Sequence, residues 1–255
     1  MSLPSSPRQA GLDSALCLVF FTRLPLPHFD FGDRRLADAI WAAPLAGLVV
    51  ALVGGIVSAT AERLGLAAGP SAALVLTATL FVTGALHEDG LADVADGFGG
   101  GQTRERRLEI MRDSRIGAYG AAALVLSLLV RWTVLAGLHG AWHLFLALIA
   151  AEAGSRGLAG LLMHALPPAR SDGLSAGAGS VTRETATLGA AIGAGALLTL
   201  GLPAALAALV LLAALFLAFR VLCLSRIGGQ TGDTVGALQQ LAAIVILLVA
   251  SASSA

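Results

Sequence analysis

Charged residues are scarce in this chain, and lysine is absent. Only 13% of the 255 residues are Asp, Glu, Lys or Arg, whereas soluble domains typically carry about 25%. All sixteen positive side chains are arginine. With 56% hydrophobic residues and a mean hydropathy of +0.83, the composition excludes an ordinary soluble domain and predicts a protein solvated mostly by lipid.

Cysteine is also rare, and its two positions exclude the common cysteine chemistries. Cys17 and Cys223 have neither a metal-binding spacing nor the pattern of a disulfide framework, so we expect buried, inert thiols. A cleavable signal peptide is not evident, because the apolar run at residues 15–21 is short and is followed by Arg23-Leu-Pro-Leu-Pro. That run predicts an interfacial or re-entrant helix that stays in the mature protein.

Apolar runs of membrane length fill most of the chain. They predict an all-α, polytopic membrane helical bundle of about seven transmembrane helices, in one integral-membrane domain over residues 1–255. The predicted spans are residues 39–60, 71–86, 118–138, 142–166, 184–202, 203–222 and 235–251. A cytoplasmic amphipathic helix is expected near residues 103–112, where Leu108 and Met111 oppose three arginines.

Arginine is distributed unevenly between the two sides of this predicted bundle. The amino-terminal segment and the connections near residues 104–115, 170–183 and 220–226 contain arginine repeatedly, whereas the opposite connections contain only Arg63. Positive residues favour the cytoplasmic side of a membrane. Seven spans then place the amino terminus inside and the carboxyl terminus outside, with the polar loops facing the cytoplasm.

The longest polar run between two apolar segments covers residues 87–119 and contains an acidic repeat. In a helix, Asp89, Asp93 and Asp96 stand at i, i+4 and i+7, within an arc of about 60°, so all three face the same way. Their oxygens suit a hard cation such as Mg²⁺, Mn²⁺ or Ca²⁺. A solvated acidic face is the alternative, but the residues between the aspartates are apolar or small, which favours a cation site.

Further polar candidates follow the acidic repeat. Asp113 is an additional metal ligand, and Arg112 and Arg115 are candidates to clamp phosphate oxygens, because the guanidinium group is planar and bidentate. Contact with anionic lipid headgroups is the alternative for the juxtamembrane arginines. For Arg104, Arg106 and Arg107 the two interpretations weigh about evenly, whereas the position of Arg115 between Asp113 and Gly117 favours the site.

A second constellation is the glycine-rich loop at residues 228–233, which lies between two predicted spans on the side of the acidic repeat. Loops of this composition bind phosphate or metal, although a plain turn has a similar sequence. The candidates are Gly229, Gln230, Thr231 and Gly232 for substrate and Asp233 for metal.

Charged residues also occur inside predicted spans, where they usually face a protein interior or a water-filled cavity. Glu152 and Arg156 form an i, i+4 pair, for which a structural ion pair is slightly favoured over a contact between Arg156 and substrate. Arg131 is interpreted in the same way. His87 is a ligand, a base or an interfacial histidine.

These residue types together indicate metal-assisted phosphoryl transfer at a membrane surface. The chain has no P-loop and no kinase signature, so those scaffolds do not bind the phosphate donor. We expect Asp89, Asp93 and Asp113 to hold Mg²⁺, with Mn²⁺ as an alternative ion. Asp96 is then either a further ligand or the base that accepts the proton of the attacking hydroxyl.

Four motifs in order resemble the cobalamin synthase (adenosylcobinamide-GDP ribazoletransferase) family: FTRLP at residues 21–25, HEDGLADVADG at 87–97, LEIMRDSRIG at 108–117 and GGQTGDTVG at 228–236. The resemblance runs across nearly the whole chain. It implies a Mg²⁺-dependent membrane enzyme of the late corrinoid pathway that joins adenosylcobinamide-GDP to α-ribazole, or its 5′-phosphate, with release of GMP. Relatives often carry acidic residues where this chain has Gln240 and Ala243, so metal ligands are not expected there.

Two other functions remain as alternatives at this stage. CDP-alcohol phosphotransferases also use an aspartate-rich motif, but their signature needs an Ala-Arg pair, and here Ala92 is followed by Asp93. A transporter or channel would use the acidic repeat as an ion site. Membrane lipid is an expected partner and nucleic acid is not. A homo-oligomer, or association with other corrinoid-pathway enzymes, is compatible with the resemblance.

Overall fold

The computed structural model describes residues 3–170 and 179–253, and helices account for all of the regular structure in those two ranges. The α-helices are α1 (Pro7–Phe21), α2 (Leu36–Ala39), α3 (Ala43–Arg63), α4 (Ala68–Thr83), α5 (Leu86–Gly100), α6 (Arg104–Ile110), α7 (Ala118–Gly137), α8 (Ala141–Ala165), α9 (Arg183–Ala196), α10 (Leu202–Ile227) and α11 (Gly232–Ser253). Short 3-10 helices occur at Ile40–Ala42 and Leu197–Leu200. The predicted all-α fold class is therefore confirmed.

Five helices in the described ranges are long and apolar enough to cross a membrane, which identifies a membrane protein. They are Leu36–Arg63, Ala118–Gly137, Ala141–Ala165, Leu202–Ile227 and Gly232–Ser253. A sixth span is possible if the bent pair α4 and α5 counts as one crossing. The predicted number of seven is not confirmed. The region predicted as a span at residues 184–202 forms α9, with 14 residues, and then a four-residue 3-10 helix.

A sharp bend separates α4 from the acidic helix α5. The two helices meet at 89°, and the bend consists of Gly84 and Ala85, with φ angles of 62° and 54°. The left-handed conformation is easy for glycine and costly for alanine. The segment after α1 stabilises the bend, because the backbone N–H of Arg23 donates a hydrogen bond to the Val82 carbonyl at 2.6 Å. The predicted span 71–86 therefore ends where the acidic helix turns away.

Helix α1 is held against the start of α3 by a buried carboxylate. Asp13 is fully buried and accepts hydrogen bonds from the Arg34 Nε, at 2.8 Å, and the Trp41 Nε1, at 2.8 Å. Nearby, the Cys17 thiol donates to the Ala39 carbonyl at 3.1 Å. Both cysteines are free and buried, as expected from the sequence. These contacts fix α1 beside the bundle, so that its last residues reach the acidic helix.

Small residues allow the central helix α8 to approach its neighbours closely. A Cβ atom at Gly47 of α3 would lie 2.3 Å from the Glu152 carbonyl oxygen, and one at Gly193 of α9 would lie 3.0 Å from the Gly157 Cα. Close backbone packing at small residues is typical of helices in membranes, where apolar burial between helices gives little driving force. Helix α8 thereby becomes the centre of the bundle.

The polar connections meet at one end of the bundle. The segment after α8 pairs with the loop before α11, because Gln230 N–H donates to the Pro167 carbonyl at 2.9 Å and Ala169 N–H donates to the Gln230 carbonyl at 2.8 Å. Helix α11 begins at this end and has 22 residues, a length of about 33 Å. The carboxyl terminus of α11 therefore lies at the opposite end. Part of the polar connection before α9, residues 171–178, lies outside the described residues.

Candidate functional site

The acidic repeat forms one helix, as predicted, but its three aspartates have different surroundings. Asp89 is exposed, Asp93 is half-buried and Asp96 is buried. Both oxygens of Asp96 accept backbone hydrogen bonds at the start of α7, from Gly117 at 2.7 Å and Gly120 at 2.9 Å. Asp96 therefore acts as an N-terminal cap for α7. Its predicted role as metal ligand or base stays a prediction.

Asp233 is brought to the acidic helix by a close approach between α5 and α11. A Cβ atom at Gly90 would lie 2.8 Å from the Asp233 carbonyl oxygen, so only glycine allows this contact. The Asp233 carboxylate accepts hydrogen bonds from the Arg170 Nη2, at 2.9 Å, and the Thr231 hydroxyl, at 3.1 Å. It interacts electrostatically with Asp89 and Asp93. The predicted grouping of these three carboxylates at one end of the bundle agrees with their positions.

The predicted ligand Asp113 lies apart from this group, on the exposed loop after α6. It forms an ion pair with Arg115, with the Nε and Oδ1 atoms 3.0 Å apart and the Nη2 and Oδ2 atoms 2.6 Å apart. The hydrogen bonds from Arg115 hold the pKa of Asp113 at about 2, well below its ordinary value. The carboxylate is therefore ionised at neutral pH, and the candidate clamp Arg115 is already occupied by it.

The donor chemistry of this end of the bundle suits a hard cation. Asp89, Asp93 and Asp233 supply carboxylate oxygens, and Arg170 offsets part of their mutual repulsion. Within residues 3–170 and 179–253, no three Asp, Glu, His or Cys side chains are gathered into a ready-made metal cluster. Side-chain movement would therefore have to accompany ligation by three or more of them.

Two cavities flank the acidic helix. The first, which we call the inner cavity, has a volume of about 160 Å³. Its wall is mostly apolar and includes Phe20, Phe21, Leu36, Ile40, Met163 and Val235. Its polar lining is formed by His87, Asp89, Arg170 and Asp233. The predicted substrate residue Gly232 also lines it.

The second cavity, which we call the loop cavity, has a volume of about 330 Å³ and lies between α5, α7 and the loop after α6. It is lined by Asp89, Asp93, Arg112, Asp113, Ser114 and Arg115, with Leu124 on its apolar side. Asp89 lines both cavities. The structure therefore brings the predicted arginines 112 and 115 to three of the predicted metal ligands, Asp89, Asp93 and Asp113.

His87 lies at the inner edge of the site. Its ring is 3% exposed and stacks on Phe21, with 5.5 Å between the ring centroids and 16° between the planes. The Nδ1 atom is buried and has no hydrogen-bond partner among the described residues. Of the two predicted catalytic residues, His87 is therefore the one with a free ring nitrogen beside a cavity.

A buried polar cluster lies beneath His87, at membrane depth. Arg131 Nη1 donates to Glu88 Oε1 at 2.7 Å and to Gln240 Oε1 at 3.0 Å, and Gln240 Nε2 donates to Glu88 Oε1 at 3.0 Å. Arg156, only 1% exposed, donates to the Glu152 carbonyl at 2.9 Å and pairs with the Glu152 carboxylate. The favoured interpretation of Glu152 and Arg156 as an ion pair is confirmed. Substrate contact by Arg156 stays a prediction.

The glycine-rich loop at residues 228–233 uses most of its polar groups internally. Gly229 packs on Pro167, where a Cβ atom would lie 2.2 Å from the carbonyl oxygen. Gln230 is 2% exposed and Thr231 is fully buried. The Thr231 N–H donates to the Thr234 hydroxyl at 2.9 Å, which caps the start of α11. The predicted contacts of Gly229, Gln230 and Thr231 with substrate are not tested by this arrangement.

Sequence reasoning missed Arg170 and the aromatic residues of α1 as parts of the site. Arg170 directly follows a predicted span on the side of the acidic repeat, a position that could have indicated it. Phe21 begins the FTRLP motif at residues 21–25, but only the tertiary fold places Phe20 and Phe21 of α1 beside His87. Arg104 is a structural anchor, since it donates to the Ile227 and Ala169 carbonyls at 2.8 and 2.7 Å.

The loop that carries α6 is anchored on α5 at both of its ends. Gly101 N–H donates to the Gly97 carbonyl at 3.0 Å, and Gly117 N–H donates to Asp96. The two anchors on α5 are adjacent in sequence. The intervening chain leaves α5, forms α6 and one wall of the loop cavity, and returns to the same helical turn.

Comparison with known proteins identifies the family of this chain. The model of the cobalamin-5-phosphate synthase family matches residues 13–251. A protein of Mesorhizobium japonicum is 66% identical over 254 residues, covering 98% of each chain. Proteins of Bradyrhizobium diazoefficiens and Azorhizobium caulinodans are 48% and 46% identical, covering 96% and 92% of this chain and 95% and 94% of their own. All three are named adenosylcobinamide-GDP ribazoletransferase.

No solved structure matches the chain. The family model covers almost all of the sequence, including the acidic helix, both cavities and the loop before α11. On this evidence the chain belongs to the cobalamin-5-phosphate synthase family.

Proposed function

We propose that this chain is an adenosylcobinamide-GDP ribazoletransferase, which joins adenosylcobinamide-GDP to α-ribazole or its 5′-phosphate and releases GMP. The observation that supports this most directly is Asp89, which lines an aromatic cavity on one side and an arginine-containing cavity on the other. Two substrates can therefore approach one carboxylate from opposite sides. Neither the CDP-alcohol phosphotransferase nor the transporter alternative is favoured by the relatives, which are named as ribazoletransferases.

The reaction is a displacement at phosphorus. A ribose hydroxyl of the ribazole attacks the phosphorus next to the cobinamide, a new P–O bond forms, and the bond to the bridging oxygen breaks. GMP leaves with the bonding electrons, and a base accepts the hydroxyl proton. We assign the base to His87, because its Nδ1 has no hydrogen-bond partner among the described residues and its side chain lines the inner cavity, whereas Asp96 already accepts two backbone hydrogen bonds.

We further propose that the activity depends on Mg²⁺, with Mn²⁺ as a substitute. Asp89, Asp93 and Asp233 would hold the ion, and Asp113 would join them once its pairing with Arg115 opens. When bound, the ion would neutralise the diphosphate and the departing phosphate. Arg112 and Arg115 line the same cavity as Asp89 and would bind the remaining phosphate oxygens.

The decisive experiment is reconstitution with defined substrates. Purified protein in detergent or nanodiscs is mixed with adenosylcobinamide-GDP, α-ribazole and Mg²⁺, and GMP and cobalamin are measured by chromatography. We expect both products in equal amounts, and neither when α-ribazole is omitted. Asp89→Asn is the matched control, because it keeps the shape of the side chain and removes its charge. Absence of both products with the wild-type protein would contradict the proposed function.

We place the protein in the bacterial inner membrane, with the site facing the cytoplasm. Arginine is frequent at the end of the bundle that carries the site, and the carboxyl terminus of α11 lies at the other end. A reporter fused to the carboxyl terminus should therefore be external, and one inserted in the connection 167–182 should be internal. The reverse result for either fusion would contradict this orientation. Formation of homo-oligomers and contacts with other corrinoid-pathway enzymes are also proposals.

A further inference from the structure

The two cavities beside α5 differ in size and lining, although both contain Asp89. On the basis of the function proposed above, we propose that the inner cavity binds the ribazole, with Arg170 as the residue that recognises its 5′-phosphate. The loop cavity then receives the diphosphate arm of adenosylcobinamide-GDP.

The apolar wall of the inner cavity suits the base of the ribazole. That base is a flat, mostly apolar bicyclic ring, and such rings bind well against aromatic and aliphatic side chains. Phe20, Phe21 and Met163 supply this kind of surface. The stacked pair of Phe21 and His87 lies in the same wall, which places a ring nitrogen of His87 near the sugar of a bound nucleoside.

The size of the inner cavity excludes the other substrate. Pockets for drug-sized ligands have volumes of about 300–1,000 Å³, and a corrin macrocycle with its side chains is larger than such ligands. The inner cavity, with about 160 Å³, holds the base of the ribazole, and the ribose and 5′-phosphate extend along its polar lining toward Asp89 and Arg170. The corrin must therefore remain outside the bundle, and only its flexible arm can reach Asp89.

Arg170 carries a hydrogen-bonding group that nothing in the described part of the chain satisfies. Its Nη2 atom is used by Asp233 at 2.9 Å, but its Nη1 atom is buried and has no hydrogen-bond partner among residues 3–170 and 179–253. A buried, unpaired guanidinium nitrogen is costly, and a phosphate oxygen satisfies it with a charge-assisted bond. Because Arg170 lines the inner cavity, this oxygen is available from the 5′-phosphate of a ribazole bound there.

The lining of the loop cavity suits a diphosphate. Arg112, Ser114 and Arg115 offer donors for phosphate oxygens, and Asp89 and Asp93 offer ligands for its counter-ion. The Arg115 side chain is 87% exposed, so an arm that enters from the aqueous side meets it first. The attacked phosphorus of the diphosphate then lies beside Asp89 and faces the ribazole.

The test fills each cavity in turn and measures the KM of each substrate. Met163→Trp narrows the inner cavity and Leu124→Trp narrows the loop cavity, with the same residue introduced in both. We expect Met163→Trp to raise the KM of α-ribazole about tenfold or more and to leave that of adenosylcobinamide-GDP within about twofold, and Leu124→Trp to do the opposite. Phe20→Ala is a second variant of the inner cavity. It removes an aromatic ring from the cavity wall, and it should also raise the KM of α-ribazole.

Arg170 is tested by substrate preference, which a structural role alone would not change. The ratio of kcat/KM for α-ribazole 5′-phosphate to that for α-ribazole is measured in the wild type and in Arg170→Gln. We expect the variant to lower this ratio about tenfold or more, because one charge-assisted hydrogen bond is lost. Arg170→Lys keeps the charge and should retain part of the preference.

The outcomes separate this inference from the proposed function. If the wild type forms no cobalamin from either ribazole, the proposed function is wrong. If the wild type is active but Met163→Trp and Phe20→Ala leave the KM of α-ribazole unchanged, or raise that of adenosylcobinamide-GDP instead, the assignment of the inner cavity is overturned. If the preference for the 5′-phosphate is unchanged in Arg170→Gln, Arg170 does not recognise that phosphate.

Discussion

The pairs Glu88–Arg131 and Asp113–Arg115 have the same chemistry in opposite surroundings. Their closest N–O distances are 2.7 and 2.6 Å. In the first pair the arginine and carboxylate side chains are 5% and 7% exposed, and in the second they are 87% and 37% exposed. Water can replace either partner of the exposed pair, whereas in the described part of the chain the buried charges hydrogen-bond to each other and to Gln240. Equal distances therefore do not imply equal roles.

This difference in burial indicates that the two ion pairs have different roles. A buried pair holds a fixed geometry, because removal of one partner leaves a charge in an apolar interior. An exposed pair contributes little to stability and can open at low cost. Glu88–Arg131 is therefore suited to fixing the bend before α5, and Asp113–Arg115 is suited to releasing a carboxylate when a cation binds.

The largest expected effect comes from breaking the buried pair. Arg131→Met keeps most of the side-chain volume and leaves Glu88 buried without its countercharge, which should lower the free energy of unfolding by about 3–5 kcal/mol. Arg115→Met is the matched control on the exposed pair and should leave the melting temperature nearly unchanged. Thermal unfolding in detergent measures both. Equal melting temperatures for the two variants would mean that burial does not distinguish the pairs.

A smaller effect is expected when the buried carboxylate is moved rather than removed. Glu88→Gln leaves Arg131 without a countercharge and should cost about 1–3 kcal/mol of stability. Adding Gln240→Glu returns a carboxylate to the other hydrogen-bond partner of Arg131, so the double variant should recover most of that loss. Both are measured by chemical denaturation. If the double variant is less stable than Glu88→Gln alone, Gln240 is not equivalent to Glu88 as a partner.

For metal affinity, a change in the exposed pair should have the larger effect and a change in the buried pair the smaller one. Asp113→Asn should raise the Mg²⁺ concentration needed for half-maximal GMP release about tenfold, because an exposed carboxylate that can leave Arg115 is lost as a ligand. Glu88→Gln should leave this concentration unchanged, whatever its effect on stability. Titration with Mn²⁺, followed by paramagnetic resonance, reports bound metal independently of turnover. A normal titration in Asp113→Asn would exclude Asp113 as a ligand.

The smallest effect is a shift in the protonation of Asp113. Its pKa is depressed to about 2 by hydrogen bonds from Arg115, so any contribution of the pair is present above the ordinary value of 3.8 and is lost as the pH falls through about 2. In Arg115→Ala the carboxylate should protonate near its ordinary value. The infrared difference between wild type and Asp113→Asn, recorded from pH 2 to 5 and repeated in the Arg115→Ala background, measures this. Protonation at the same pH in both backgrounds would contradict the pairing.

The sequence predicted features with a local cause and missed those that depend on distant partners. The acidic helix was predictable, because the spacing of Asp89, Asp93 and Asp96 is a property of one helical stripe. The capping of α7 by Asp96 was not, since its donors lie 21 and 24 residues away in sequence. The same is true of Glu88, whose hydrogen bond from Gln240 spans 152 residues. No periodic pattern encodes such pairs.

The predicted span at residues 184–202 is not confirmed. Residues 184–202 are apolar enough to predict a span, but the repeated glycines among them disfavour a long uninterrupted helix. The α-helix stops at Ala196 and a 3-10 helix continues to Leu200, before Gly201 adopts a φ of 84°. Prediction of the metal site from the sequence was limited in a similar way. Composition identified its donors, but whether Asp113 reaches Asp89 depends on the conformation of an exposed loop.

The loop that carries α6 begins and ends on the same turn of α5. Both ends meet at Asp96 and Gly97, so the distance that the loop must span is fixed by α5 and not by the rest of the bundle. The first part is also fastened by Arg104 to the ends of neighbouring segments. Residues inserted between positions 112 and 116 should therefore put little strain on the membrane helices, since longer loops cost little closure entropy. Evolution and protein engineering can alter the entrance for the larger substrate there, while the bundle keeps its packing.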